Sequence, residues 1–156
     1  LIALAAAREA ENGKSISEVA AIANKVREKV NLIAYMDTVR YIYRSGRIPK
    51  IASVAGSMLK IRPIFTFSNG APRFMGAVRS KKIGIERLFD EMHEKVGNKS
   101  VHVAVMHVYA EEDAEKLKKR VSEEFNCAEM WLTEFSPLMG YACGTGTLGM
   151  AFYPED

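Results

Sequence analysis

Cysteine is nearly missing from this sequence. Only Cys127 and Cys143 occur, too few for the disulfide framework of a small secreted domain, so a reducing cytoplasm is the expected setting. Also missing is any apolar run near the ~18 residues that would span a bilayer. The opening stretch, Leu1-Ile2-Ala3-Leu4-Ala5-Ala6-Ala7, has no basic flank of the kind that marks a signal peptide. It also lacks a starting Met and a helix cap, which points to a cut point in a longer chain, with a processed mature N-terminus as the alternative. Charge of one sign is scarce, the net value being +3. Basic clusters at 25–29, 79–82 and 116–120 each lie on or beside a helical segment with Asp or Glu nearby, which reads as solvated helix faces and argues against a nucleic-acid footprint. No Cys/His/Asp cluster has zinc spacing, no Gly-x-Ser-x-Gly elbow occurs, and no general acid–base pair is visible. No metal, cofactor or catalytic role is therefore expected.

What remains is an ordinary globular composition. The chain has 156 residues, 48% apolar and 26% charged, enough for a single domain with a real core. A helix over 1–11 ends at Asn12-Gly13, glycine being common just past a helix C-terminus. Ser15 and Glu18 have capping-box spacing and start a helix that places Val19, Ile22, Ala23 and Val26 on one face. Residues 32–36 suit a buried strand, and Asp37 is placed to cap a helix over 38–44 that stops at Ser45-Gly46, with Pro49 barring continuation. Strands over 61–68 and 73–79 form a hairpin about Asn69-Gly70. A helix over 82–96 aligns Ile85, Leu88, Phe89, Met92 and Val96. Val101, Val103, Val105 and His107 alternate along a strand, and a helix from Glu111 buries Ala114, Leu117, Val121 and Phe125. A strand near 130–135 leads through Pro137 into a glycine-rich loop and a last strand near 150–153. This alternation predicts a layered α/β domain with a mixed β-sheet and helices packed on it.

Several patterns bear on chemistry. Gly144-Thr145-Gly146-Thr147-Leu148-Gly149 spells G-x-G-x-x-G, but only seven residues follow and they read as a strand, so a dinucleotide site is rejected. Two readings stay open there: a tight structural turn, or a backbone whose Gly144 and Gly146 N–H groups face an anion beside the Thr145 and Thr147 hydroxyls. His93 reads as a surface residue. His102 and His107 fall on opposite faces of one strand, so they do not jointly bind a metal. His107 alone stands at a strand's C-terminal end, where α/β ligands bind, with a core or rim histidine as the alternative. Cys143 beside the glycines is the more suspect thiol, though a small loop filler explains it. Ile42, Ile48, Ile51, Val54, Met58, Leu59, Ile61 and Ile64 cluster around 37–48 and 56–65. They read either as core or as the wall of an elongated apolar pocket, to which the eight methionines could add adaptable surface.

At these residues the chain resembles the DegV family of bacterial fatty-acid-binding proteins. Asp37, Thr38, Gly46, Arg47 and Ile48 follow an Asp-Thr-Leu-x-x-Leu-x-x-x-Gly-Arg-Ile pattern. Gly56, Leu59, Ile61, Arg62, Pro63 and Ile64 follow Gly-x-Leu-Leu-x-Ile-Lys-Pro-Ile, with Gly70 in the hairpin and Arg79 before a helix. Pro137, Gly140, Ala142, Gly144, Thr145, Gly146 and Gly149 follow Pro-x-x-Gly-x-His-x-Gly-Pro-Gly-x-x-Gly. The resemblance spans the chain and implies the C-terminal lobe of a two-lobe protein whose N-terminal lobe is absent. It implies one long-chain fatty acid held between lobes, its head group near Arg47, Ala142, Cys143, Gly144, Thr145 and Gly146, and its tail against Met58, Ile61 and Ile64. It further implies presentation of the acid to a fatty acid kinase, with Arg79 as a docking residue. Two departures stand out: Ala142 replaces the family's head-group histidine and Thr145 its loop proline, removing a donor that can also carry charge.

Two rival functions follow from the same residues. One is a phosphate-gripping lobe of a kinase-like or transferase enzyme, needing acidic metal ligands near the loop, with Glu134, Glu155 and Asp156 nearest in sequence. The other is a regulatory or nucleic-acid-binding module resting on the basic helices. An isolated lobe would also expose the face meant for its partner, so dimerisation through that face is expected.

Overall fold

A computed structural model describes residues 1–46, 61–68 and 70–155. In chain order the elements are α1 (Ile2–Glu11), α2 (Ile16–Lys29), β1 (Asn31–Tyr35), α3 (Arg40–Arg44), β2 (Arg62–Ser68), β3 (Ala71–Val78), α4 (Lys81–Val96), β4 (Val101–His107), α5 (Glu111–Glu124), β5 (Cys127–Glu134), α6 (Pro137–Cys143) and β6 (Leu148–Pro154). The six strands form one sheet in the order β3-β2-β1-β6-β4-β5. Only β4 and β5 run parallel, joined through α5; the other neighbours are antiparallel. The last strand is thus central, between β1 and β4, and the sheet is mixed as the sequence predicts.

The alternation in β4 shows how the layers form. Val101, Val103 and Val105 are fully buried while the residues between them are not, because side chains of a strand point alternately to the two faces. The valine face packs with Leu88, Phe89 and Met92 of α4, Leu117 and Val121 of α5, Tyr35 of β1 and Phe152 of β6. Within α4, Gly84 lets the sheet approach: a Cβ there would overlap the Tyr35 ring.

On the other pleat, His102 stacks on Tyr153 of β6 with ring centroids 4.6 Å apart. Its Nδ1 lies 2.8 Å from Glu129 and its Nε2 3.1 Å from Glu155. Glu129 also accepts two hydrogen bonds of 2.6 Å from Arg8, tying α1 to β5. The α2 cap is the expected box: the Ser15 hydroxyl accepts from the Glu18 N–H, and the Glu18 carboxylate accepts from the Ser15 N–H at 2.8 Å. Helix α1 buries no residue and has no side-chain cap. Among the described residues no helix is long and apolar enough to cross a membrane.

Three local expectations need correction. The segment read as a loop from Pro137 contains α6. Ser136 caps it, its hydroxyl accepting from the Met139 N–H at 3.4 Å, and Pro137 takes the first helical position, where no N–H is needed. Asp37 does not cap α3, which begins only at Arg40; the Thr38 hydroxyl accepts from the Arg40 N–H at 3.2 Å instead. Phe125 does not extend α5 but follows it as the C-cap residue, although it is buried as expected.

Candidate functional site

Where the parallel strands β4 and β5 end, the chain turns through His107-Val108-Tyr109 and through Glu134-Phe135. These turns, α3 and α6 enclose a cleft of about 480 Å³. It lies outside the carboxyl ends of the strands, where α/β sheets place ligands, and its volume is within the range of small-molecule pockets. Four aromatic side chains wall it: Tyr41, Tyr109, Phe135 and Tyr141. Arg44, His107, Glu134 and Thr145 bring the ionisable and hydroxyl groups that distinguish one end of a ligand from the other.

The glycine segment forms one side of the cleft, and its backbone is largely committed. The Gly144 N–H donates to the Gly140 carbonyl at 2.8 Å and the Gly146 N–H to the Val108 carbonyl at 2.9 Å. The Thr147 hydroxyl, fully buried, donates to the Gly144 carbonyl at 2.8 Å. The anion-facing reading of Gly144, Gly146 and Thr147 is therefore corrected: these donors close a turn. What they do is present Thr145, which is exposed and lines the cleft, with no hydrogen-bond partner among the described residues. Gly144 is needed for this turn. Its φ of 84° and ψ of 168° fall in a region open essentially to glycine alone, and the Tyr41 ring lies against its Cα.

The other sequence-derived site residues scatter. Ala142 and Cys143, 2% and 3% exposed, pack with Met36, Ile42 and Phe65 in a small cluster separate from the main core and do not line the cleft. Ile64 belongs to the main core. Ile61 is half-buried and lines none of the main clefts found among the described residues. Gly146 sits against the Asp37 side chain. Arg79 is exposed on the loop before α4, away from the cleft, and its carbonyl accepts from Arg62 at 3.1 Å. Arg47 and Met58 lie outside the described residues.

Asp37 is engaged elsewhere too. Its carboxylate accepts from the Tyr35 hydroxyl at 2.8 Å and from Arg62 Nε at 2.9 Å. Burial works to raise this carboxyl, but the Arg62 and Tyr35 hydrogen bonds outweigh it and hold it below its usual value. Burial, with Asp37 behind it, pushes the Tyr35 phenol well up. Burial likewise raises the Cys127 thiol, which disfavours the reactive thiolate. Among the described residues no group of three or more His, Cys, Asp or Glu side chains is placed to hold a metal.

His107 is the one sequence candidate found in the cleft by its position at a strand end. Buried to all but 5%, it accepts from the Ala110 N–H at 3.4 Å through Nδ1. Sequence reasoning did not single out Arg44, Tyr41, Tyr109 or Tyr141. One signal was available: Tyr109 closely follows the end of a predicted strand, and Phe135 is itself such an end. Arg44 and Tyr41 lie on a helix whose approach to α6 is a tertiary matter. Two of the lining aromatic residues are largely open to solvent: Tyr109 is 84% exposed and Tyr141 70%. Tyr109 also has a φ of 46°, alone in that region among described non-glycine residues.

The family profile described as "Uncharacterised protein, DegV family" matches residues 1–155. A DegV domain-containing protein of Clostridium perfringens is 33% identical over 98% of this chain, and 54% of that protein is covered. The structure of DegV, a fatty acid binding protein from Bacillus subtilis, superposes with a TM-score of 0.84 at 25% identity, covering 99% of this chain and 55% of that one. The Fatty Acid Kinase (Fak) B3 protein of Streptococcus pneumoniae, solved loaded with linoleic acid, superposes with a TM-score of 0.85 at 21% identity, covering 99% and 55%. The chain thus spans about half the length of the curated relatives it matches. By its sequence along almost its whole length, the chain belongs to the DegV family.

Proposed function

We propose that this chain is the C-terminal lobe of a fatty-acid-binding protein and supplies one wall of a site for a single long-chain acid. The observation that carries this reading is the cleft at the ends of β4 and β5, aromatic on most sides and polar at Arg44, His107 and Thr145. Its mouth supports a second wall from another lobe. Tyr109 and Tyr141 stand exposed there, and exposed apolar surface of this kind favours a covering partner. The relatives named as fatty acid binding have about twice the length of this chain, which leaves room for that lobe. The residues where the sequence placed the head group divide between roles: Thr145 faces the ligand, Gly144 and Gly146 hold the turn, and Ala142 and Cys143 pack behind it. On this reading the protein carries its ligand without transforming it and hands it to a fatty acid kinase, with exposed Arg79 as a docking charge.

Mass spectrometry of lipids extracted from the purified full-length protein tests the proposal. One long-chain acid per protein is the expected result. Protein free of acyl chains but saturable with Mg-ATP would favour the kinase-like rival instead.

A further inference from the structure

Thr145 stands between two glycines, and each glycine meets one side chain from elsewhere in the chain. The Tyr41 ring lies against Gly144. Asp37, two residues past the end of β1, lies against Gly146: a Cβ there would come within 3.0 Å of the Asp37 Cβ and 3.5 Å of its Oδ2. The backbone ties the same turn to the end of β4, through the Gly146 N–H to the Val108 carbonyl at 2.9 Å and the Val108 N–H to the Thr147 carbonyl at 3.0 Å. Asp37 lies between β1 and α3 with its side chain 46% exposed, so its place depends on what holds its carboxylate. Two donors converge on Oδ1: the Tyr35 hydroxyl at 2.8 Å and Arg62 Nε at 2.9 Å. Tyr35 is fully buried and is positioned by the core. Arg62 comes from β2 and uses its other arm, Nη1, to donate to the Arg79 carbonyl at 3.1 Å. A planar guanidinium bound at two points is oriented as a single point charge is not. The contacts therefore run in series from the Arg79 carbonyl through Arg62 and Asp37 to Gly146, beside Thr145.

We propose that Arg62 is a positioning residue for the fatty-acid head group: with Asp37 it holds the Gly146 end of the turn and so fixes where the Thr145 hydroxyl stands in the cleft. The inference rests on the fatty-acid reading and deepens it. Arg62 itself stands outside the lining of the cleft, so its effect on a ligand passes through the turn. A partly exposed ion pair contributes little to global stability. Its effect on binding is larger, because a hydrogen bond weakens steeply as donor and acceptor fall out of line. The pair also accounts for Asp37, whose expected capping role is filled by the Thr38 hydroxyl.

The test titrates hexadecanoate into delipidated full-length protein as wild type, T145V, R62M and the double variant. T145V should weaken binding by about fivefold, the worth of one hydrogen bond. R62M should weaken it by a similar factor, and the double variant should bind no worse than T145V alone, because both changes remove the same contact. A fault unrelated to Thr145 would instead make the losses multiply, to roughly twenty-fivefold. R62K keeps the charge and the stem, which guards against a loss of folding in R62M. It should weaken binding as R62M does, since one ammonium does not span Asp37 and the Arg79 carbonyl. Losses that multiply, full affinity in T145V, or full affinity in both Arg62 variants would overturn the positioning role and leave fatty-acid binding intact. A wild type that takes up no hexadecanoate would overturn both.

Discussion

The ring of Tyr41 lies so close to Gly144 that a Cβ at 144 would overlap ring atoms Cδ2 and Cε2. That contact joins α3 to the end of α6 and fixes the wall from which Thr145 faces the cleft. It makes G144A doubly costly, through backbone strain and through displacement of Tyr41. Gly46 also has a positive φ, but a Cβ there would meet nothing among the described residues. Urea unfolding should show G144A destabilised by about 2 kcal/mol or more beyond G46A. Equal losses would mean that the Tyr41 contact does not constrain the turn.

A second glycine predicts a reversed sign. Glycine inside a helix ordinarily costs about 1 kcal/mol relative to alanine, so G84A in α4 should stabilise on propensity alone. Tyr35, fully buried, occupies the space a Cβ would need. G84A is expected to destabilise by roughly 1–3 kcal/mol, as overpacking does. The change in denaturation midpoint decides between the two signs.

Thr145 and Thr147 should separate ligand binding from turn closure. T147V removes a buried hydroxyl that donates to Gly144 and should cost about 1 kcal/mol of stability. T145V should leave the unfolding midpoint within about 0.5 kcal/mol, as for an exposed surface change, and weaken fatty-acid binding. The reverse pattern would reassign the two hydroxyls.

Acid should loosen the α1 tether. The Arg8 guanidinium, with His102 behind it, pulls the Glu129 carboxyl down to about 2. A carboxyl lower in the folded state than its unfolded value near 4.5 contributes stability above that unfolded value and loses it as pH falls toward about 2. The wild type should therefore lose more stability than E129Q between pH 5 and pH 2, read by urea midpoints at each pH. Parallel decline of the two proteins would remove Glu129 from this role.

The fold was legible where pattern and packing agree. The valines of β4, the α4 stripe through Leu88 and Met92, and the Ser15–Glu18 box each state their structure locally, and the structure follows them. The cleft was legible at His107, because strand ends are where ligands bind in such sheets. It was not legible at Gly144 and Gly146, whose N–H groups looked available until Val108 and Gly140 claimed them across the fold. Pro137 misled in another way: a proline that breaks a helix interior also suits a helix start, and only the Ser136 cap distinguishes the two. Gly84 carried no signal at all, since its reason is the ring of Tyr35, far away in sequence.

The central claim is that the Arg44–His107–Thr145 side of the cleft is the polar end of an acyl site. A crystal structure of the protein with a bound long-chain fatty acid tests it most directly. The carboxylate is expected within hydrogen-bond distance of the Thr145 hydroxyl and His107, with the acyl chain running along the aromatic wall. A carboxylate bound elsewhere, with this cleft empty, would contradict it.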